Sequence, residues 1–336
     1  MQLPLRLPLV YLSLALLLAG IACTPSSPSP GPRGGGDQPS ETAKLRIAMI
    51  PKGTQASFWT SVHNGAKRAA EEFDVELIWK GPPEDNDRAG QIETVQQFIS
   101  ERVDGIALAP LDSKALVGPV KSAGEQNIPV VIFDSALDEE ASTAGEDYVS
   151  FAATNNLQGG KLGGEELAKL AGGDGKVVVF RHQVGHASTT KREEGALQAL
   201  NAANIEIISD NQYGGPDTSS SMEKAEAMVD TIKQADGIFA SNQNASEGML
   251  RALQRLDLAG KVKFVGFDSS PLLVRGLEQG EVDALVVQNP DLMGYTAVKL
   301  LAEHLRGQEV PPEVDTGVAV ATQENMNDAQ IAPLLK

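Results

Sequence analysis

The chain has one cysteine, few aromatic residues and, after its first residues, no long apolar run. Cys23 cannot form a disulfide with another residue of the chain, so the fold must depend on other interactions. Only 4% of the residues are aromatic, which makes two adjacent aromatic side chains conspicuous. With one cysteine and four histidines, the chain offers no cysteine–histidine nucleophile pair and no zinc-ligand set. We therefore expect no disulfide framework, no metal and no cofactor.

Positive charge is also scarce. Lysine and arginine number 28 against 45 aspartate and glutamate residues, which gives a formal net charge of −17. A chain with this much negative charge repels the phosphate backbone of nucleic acids. The composition therefore predicts that nucleic acid is not a partner.

The first residues predict export. Arg6 precedes an apolar stretch at 9–22 that is too short for a membrane-spanning helix, which needs about 20 residues, and that leads to Cys23. This pattern is typical of a secretory signal. The run GIAC (20–23) resembles a bacterial lipobox, with Gly20 in place of the usual leucine. We expect residues 1–23 to be a lipoprotein-type signal peptide that ends at an acylated Cys23, with ordinary cleavage nearby as the alternative.

Residues 24–43 predict a tether. The segment consists mainly of serine, proline and glycine, and it has too few apolar side chains to offset the entropy lost on ordering. A flexible segment after a lipid-bearing cysteine would let the folded body reach a neighbour in the same membrane. The remaining residues, 44–336, are enough for two lobes of ordinary domain size.

The chain contains an internal duplication. Three pairs of segments recur at offsets of 130, 132 and 134 residues: NGAKRAAEEFDVELI (64–78) with EGALQALNAANIEII (194–208), DGIALAP (104–110) with DGIFASN (236–242), and VVIFDS (130–135) with FVGFDS (264–269). Nearly constant spacing over three elements indicates one supersecondary unit present twice. Each copy alternates short apolar runs with helical patterns, which predicts parallel strands covered by helices. The expected fold is α/β, with two similar doubly wound lobes.

Two aspartates occupy equivalent positions in the copies. Asp134 and Asp268 each lie in a Phe-Asp-Ser sequence at the end of an apolar run. Ligands of such sheets bind at the carboxyl ends of the strands, so both carboxylates are expected in the cleft between the lobes. A carboxylate accepts two hydroxyl hydrogen bonds, which suits a polyol. The alternative is that each aspartate caps the next helix.

Aromatic and amide side chains supply the other candidates. Phe58 and Trp59 are adjacent in the first loop, where a ring can pack on the apolar face of a sugar, although either can instead belong to the core. Asn242 and Gln288 end two later strands, and amides both donate to and accept from hydroxyls, although either can simply form a cap or a turn. These four residues are candidate ligand contacts.

The signals for catalysis and for metal binding are weak. His182 and His186 have metal-like spacing, but no third ligand is evident. The sequence has no G-x-S-x-G elbow. An enzyme would have to use Asp134 and Asp268 as an acid–base pair. We expect no catalytic residues.

The motifs together resemble the ribose-binding-protein-like periplasmic sugar-binding proteins of ABC importers over residues 44–323. The segments that carry the resemblance are IAMIPKG, SFWTSVHNGAKRAA, DGIALAPLDS, NIPVVIFDS, TNNLQGGKLGGEEL, STTKREEG, GIFASN, FVGFD and VVQNP, in the family's order. The resemblance implies type I binding-protein lobes at 44–152 plus 290–317 and at 153–289 plus 318–336. It also implies three crossover strands, near 152–155, 288–291 and 316–321.

The resemblance implies sugar contacts at six positions with matching residue types: Phe58, Trp59, Asp134, Asn242, Asp268 and Gln288. Other positions differ. Ala56 and Ala109 replace asparagines of ribose binders. Ser135 and Thr190 stand where arginines contact ribose hydroxyls, and both are candidate ligand contacts. Ribose itself is therefore not expected. The candidate substitutes are Lys52, Gln55, Arg181 and His182, which would favour another pentose, a hexose, a polyol or a more acidic ligand.

The implied function is a monomeric, exported binding protein that closes by a hinge around a sugar-like solute and delivers it to an ABC transporter permease. The alternative is a sensor that presents the bound ligand to a membrane receptor or kinase. Repressors with the same two lobes begin with a DNA-binding helix-turn-helix. Here a signal and a tether are predicted at that position instead.

Overall fold

The computed structural model describes residues 44–336. The predicted signal peptide, Cys23 and the predicted tether lie outside this range. Within it, no helix is both long enough and apolar enough to cross a membrane.

The first lobe contains a parallel sheet, with five strands from the first half of the chain and one from residues 313–315. In spatial order its strands are β11 (Glu313–Asp315), β5 (Ser150–Ala153), β4 (Val130–Phe133), β3 (Gly105–Leu108), β1 (Leu45–Ile50) and β2 (Val75–Trp79). Every neighbouring pair is parallel. Alternate residues of β1 pack into different cores, Ile47 and Met49 on one face and Ala48 and Ile50 on the other. Burial on both faces explains why the strand is an unbroken apolar run.

The second sheet repeats this order. Its strands are β12 (Val318–Thr322), β10 (Ala284–Gln288), β9 (Lys263–Phe267), β8 (Gly237–Ala240), β6 (Lys176–Arg181) and β7 (Glu206–Tyr213). All neighbouring pairs are parallel except β12, which runs antiparallel to β10. The equivalent strand order confirms the predicted fold of two similar doubly wound lobes.

Helices cover both faces of each sheet. They are α1 (Ser57–Glu72), α2 (Arg88–Ser100), α3 (Val117–Glu125), α4 (Asn156–Ala171), α5 (Ala187–Ala202), α6 (Thr218–Ala227), α7 (Val229–Ile232), α8 (Gln243–Arg255), α9 (Pro271–Gln279) and α10 (Pro290–Leu305), followed by a 3-10 turn at Ala332–Leu335.

The chain passes between the lobes three times: after β5, after β10 and between β11 and β12. As a result, α4 follows a strand of the first sheet but packs against α5 of the second lobe, and α10 follows a strand of the second sheet but packs against α1 of the first. Three connections between two lobes are the arrangement about which hinge motions of rigid lobes occur.

Glycines allow these helix pairs to pack closely. A Cβ on Gly65 or on Gly294 would overlap a backbone carbonyl across the α1–α10 contact, and a Cβ on Gly160 or on Gly195 would do the same across the α4–α5 contact. The repeated glycine of the two copies, Gly65 and Gly195, therefore marks equivalent helix crossings. The duplication preserves a packing requirement at this position.

Candidate binding site

A cavity lies between the lobes at the carboxyl ends of both sets of strands. Its volume is about 40 Å³, measured as the space open to the centre of a water molecule. The first lobe contributes Lys52, Ala56, Phe58, Trp59, Asp85 and Asp134. The second lobe contributes more of the lining residues, among them Arg192, Asp268 and Gln288. The cavity is where parallel α/β sheets bind ligands.

Seven of the residues predicted from the sequence line this cavity: Lys52, Phe58, Trp59, Asp134, Asn242, Asp268 and Gln288. His182, a further candidate substitute, lines it as well. The structure therefore brings together the six positions with matching residue types and two of the expected replacements. Their contacts with a ligand remain a prediction.

Four predicted residues do not line this cavity, so the prediction that they face it is wrong. Gln55 is exposed and lines an adjoining groove. Ser135 is fully buried and accepts a hydrogen bond from the Ser188 amide at 3.1 Å. Thr190 lines a different groove, because it points away from the face of α5 on which Ser188, Thr189 and Arg192 line the cavity.

Arg181 is the fourth of these residues. It is the last residue of β6, where the preceding Phe180 packs into the core on one face of the sheet, so Arg181 points to the opposite face. There its guanidinium lies 3.1 Å from Glu193 Oε2 of α5 and donates to the Asp210 carbonyl. The charge of Arg181 is thus used within the second lobe, outside the cavity.

The aromatic pair belongs to both the cavity and the core. Phe58 and Trp59 lie in the first turn of α1 and meet edge to face, with ring centroids 4.9 Å apart and an interplanar angle of 87°. Both rings pack in the core of the first lobe, where Trp59 also meets the edge of Phe133 at 6.4 Å. Core packing holds the rings in place and leaves part of their surface facing the cavity.

The two equivalent aspartates share a backbone conformation. Asp134 follows β4 with φ of 62°, and Asp268 follows β9 with φ of 71°. Side chains other than glycine, asparagine and aspartate adopt this left-handed region at a cost, and here it turns the chain sharply at the end of the strand. The turn explains why the Phe-Asp-Ser sequence recurs.

Each aspartate is held by the protein. The Lys52 ammonium lies 2.7 Å from Asp134 Oδ2 and also donates to Ser188 Oγ at 2.9 Å, across the cleft. Asp268 accepts from Gln288 Nε2 at 2.6 Å and from the Gln243 amide at 2.9 Å. Burial raises the pKa of the Asp268 carboxyl, while the nearby Arg192 opposes this shift.

Arg192 was not among the residues predicted from the sequence. Its guanidinium stacks over the Phe267 ring at 4.0 Å and donates from Nε to Asn156 Oδ1 at 2.8 Å. One of its nitrogens lies 3.8 Å from Asp268 Oδ2. Burial lowers the pKa of Arg192, and the neighbouring carboxylates, Asp268 first, oppose this. The site thus contains a guanidinium, although it comes from Arg192 and not from the position of Thr190.

Two histidines contribute neutral rings. Burial lowers the pKa of His182 to about 3 and lowers that of His186 well below its usual value, with the positive charge of Lys52 adding to both shifts. The rings meet edge to face at 4.8 Å. Residues 44–336 contain no cluster of three or more histidine, cysteine, aspartate or glutamate side chains arranged to hold a metal ion. Neutral imidazoles can donate to and accept from hydroxyl groups.

Comparison with known proteins identifies the family. Residues 47–309 match the family described as the periplasmic binding protein domain. The chain belongs to this family. Similar proteins include the D-ribose/D-allose-binding protein of Pseudomonas aeruginosa, 30% identical over 83% of this chain and 89% of that protein. The ribose import binding protein RbsB of Escherichia coli is 30% identical over 80% of this chain and 87% of its own length.

Solved structures agree. A solute-binding protein of Agrobacterium radiobacter in complex with D-arabinose superposes with a TM-score of 0.82 at 29% identity, covering 88% of this chain and all of that one. A binding protein of Agrobacterium vitis with bound D-fucose gives 0.82 at 30% identity, covering 87% and 100% of the two chains. The predicted resemblance to ribose-binding-protein-like proteins is confirmed.

Direct hydrogen bonds join the lobes of this periplasmic binding protein around the cavity. Gln243 Oε1, in the second lobe, accepts from Ser57 Oγ at 3.2 Å and from the Phe58 amide at 3.1 Å, both at the start of α1. Ser188 bonds to Lys52 and Ser135 on the other side of the cavity. The structure is therefore a closed form, in which closure brings together groups that would be apart if the hinge were open.

Proposed function

We propose that this protein is an extracytoplasmic solute-binding protein of an ABC importer that closes around a monosaccharide or a related polyol. The observation that carries the proposal is the closed cavity, in which the Phe58–Trp59 pair and carboxylates from both lobes surround one small space. With the radius of a water molecule added on all sides, the space of about 40 Å³ is of the order of a single sugar ring. Ribose itself is not expected, because the replacements at Ala56, Ser135 and Thr190 remove polar groups.

The charges argue against an acidic ligand, which the sequence left open. Both buried cations that line the cavity, Lys52 and Arg192, already neighbour the carboxylates Asp134 and Asp268. No cation is left over to compensate a ligand carboxylate, and burying an unpaired charge is costly. The relatives named above are binding proteins, which favours binding over catalysis and import over sensing.

Sugar binding should raise the melting temperature, because a ligand that binds only the folded state stabilises it. At 100 times its Kd the gain is about 2.7 kcal/mol, which corresponds to roughly 5 to 10 °C for lobes of this size. A thermal-shift panel would contain D-ribose, D-allose, D-arabinose, D-tagatose, D-fucose, D-glucose and D-galactose. Sucrose, which is too large for the cavity, serves as the control. A melting temperature unmoved by every member of the panel, and by amino sugars and polyols, would contradict the proposal.

We further propose that the protein is exported and attached to the membrane through Cys23. The support is the predicted signal and the GIAC sequence, together with membership of a periplasmic family. Because Cys23 is the only cysteine, a Cys23→Ser variant should lose acyl label completely and move from the membrane fraction to the soluble fraction of the cell. Acyl label that persists in this variant, or a parent protein found only in the soluble fraction, would contradict lipid attachment.

A further inference from the structure

One carboxylate in the cavity has no cationic partner. Asp85 lies in the loop between β2 and α2 and lines the cavity. Its Oδ1 accepts one hydrogen bond, from the Trp59 indole at 3.3 Å. Within residues 44–336, no basic side chain lies within ion-pairing distance of it, whereas Lys52 is 2.7 Å from Asp134 and Arg192 is 3.8 Å from Asp268. Asp85 is therefore the acid of this site whose charge is not compensated by a contacting group.

The position of this carboxylate is built by both lobes. A side chain at residue 53 would collide with Asp85 Oδ1, so Gly53 leaves the space that the carboxylate fills. From the second lobe, Gln183 Nε2 donates to the Asp85 backbone carbonyl at 2.9 Å. In the closed form, Gln183 thus helps to hold the Asp85 loop at the edge of the cavity.

The charge around Asp85 is negative on balance. The cavity lining contains three carboxylates, Asp85, Asp134 and Asp268, and two cations, Lys52 and Arg192. His182 and His186 are neutral there, because burial lowers their pKa values. One negative charge is left, on the partly exposed Asp85, and a charge without a partner is unfavourable where access to water is restricted.

The groove that adjoins the cavity adds to this charge. It is lined by residues of both lobes, shares Asp85 and Gln243 with the cavity, and has Glu84, Asp217 and Glu247 along its walls and no basic side chain. Clefts lined by charge of one sign concentrate ligands of the opposite sign. All the charged side chains that a solute would meet in this groove are therefore acidic.

We propose that the ligand is a sugar carrying a protonated amine, and that Asp85 selects it by forming an ion pair with that amine. The inference rests on the proposed function and narrows its ligand class. The aromatic pair and the other polar groups hold the ring, and Asp85 is the specificity-determining residue. A single ligand cation brings the charge of the cavity lining to zero.

Charged and neutral sugars should differ in how their affinity depends on pH. Burial raises the pKa of Asp85 to about 6, the charges of Asp134 and Asp268 add to the shift, and Lys52 and the Trp59 hydrogen bond oppose it. An ammonium group binds the ionised carboxylate, so amino-sugar affinity should rise about tenfold from pH 5 to pH 7 as Asp85 loses its proton. A neutral sugar offers no compensating charge, so its affinity should not rise over this interval. His182, with a pKa of about 3, stays neutral over this range. Burial also raises the pKa of the Asp268 carboxyl, so the rise is assigned to Asp85 by its loss in Asp85→Asn.

Isothermal titration calorimetry on the purified chain tests whether Asp85 selects amino sugars. D-Glucosamine and D-galactosamine would be compared with D-glucose and D-galactose at pH 5 and pH 7, in the parent, in Asp85→Asn and in Glu93→Gln, which removes an exposed carboxylate of α2. We expect each amino sugar to bind at least about tenfold more tightly than its neutral counterpart at pH 7. The preference should vanish in Asp85→Asn and persist in Glu93→Gln.

Different failures would be distinguishable. Neutral sugars that bind as tightly as the amino sugars, or a preference that survives in Asp85→Asn, would overturn the role of Asp85 and leave the proposed function standing. The absence of binding by all four sugars, in a chain that still melts cooperatively, would overturn the amino-sugar proposal, and the proposed function would fall with it only if the wider sugar panel also left the melting temperature unmoved.

Discussion

An Asp268→Ala variant is expected to bind its sugar about 100-fold more weakly, or worse, a loss of at least about 2.7 kcal/mol. Two effects combine. The ligand loses a carboxylate that is anchored by Gln288 at 2.6 Å and by the Gln243 amide at 2.9 Å. The Arg192 guanidinium, 3.8 Å from Asp268 Oδ2, is also left buried without its neighbouring negative charge.

The measurement is isothermal titration calorimetry with the sugar that gives the largest thermal shift. Asp268→Asn keeps the shape of the side chain and should lose less affinity than alanine, because the amide can still accept one of the hydrogen bonds. Glu223→Ala, an exposed residue of α6 in the same lobe, should bind like the parent. Unchanged affinity in Asp268→Ala would show that the cavity described here is not where the sugar binds.

The second large effect concerns stability. Gly65→Ala should lower the free energy of unfolding by about 3 kcal/mol, because the new methyl group would overlap the Asp291 carbonyl and force α1 and α10 apart. Gly195→Ala should do the same to α4 and α5 through the Leu157 carbonyl. Thermal unfolding of each variant without ligand, compared with the parent, measures the loss.

The matched control is Gly118→Ala. Gly118 also lies in a helix, α3, but a Cβ there would meet no atom within 4 Å. Alanine at such a position should raise stability by about 0.4 to 1 kcal/mol, because it restricts the unfolded chain. The two kinds of glycine substitution should therefore differ in sign. Equal melting temperatures for Gly65→Ala and Gly118→Ala would mean that close helix packing is not why the glycine recurs.

The missed and misplaced residues have identifiable causes. Strand ends indicate which loops lie at the cavity but not which side chains point into it. The prediction for Arg181 was wrong because successive side chains of β6 point to opposite faces of the sheet, which directs Arg181 toward Glu193. On α5, Ser188 and Arg192 are one helical turn apart and share the face that lines the cavity, whereas Thr190 lies between them. A helical projection from the start of α5 would have pointed to Arg192.

The sequence around Asp85 did not indicate a binding residue. It stands in a stretch, GPPEDND (81–87), whose residue types are typical of any turn. The duplication does not help either, because the position 130 residues later is Gly215. Asp85 is notable because no cation of residues 44–336 lies beside it, which depends on where Lys52 and Arg192 lie in space.

The sequence by itself determined the two-lobed α/β fold, the duplicated unit and the strand ends that carry the site, because hydrophobic periodicity and the recurrence of Gly65 and Phe-Asp-Ser are local properties of the chain. Only the tertiary structure decided which polar groups face the cavity and which neutralise one another. Charge balance in an enclosed space is a property of distances between residues far apart in the chain. Those distances exist only when the lobes are folded and closed on each other.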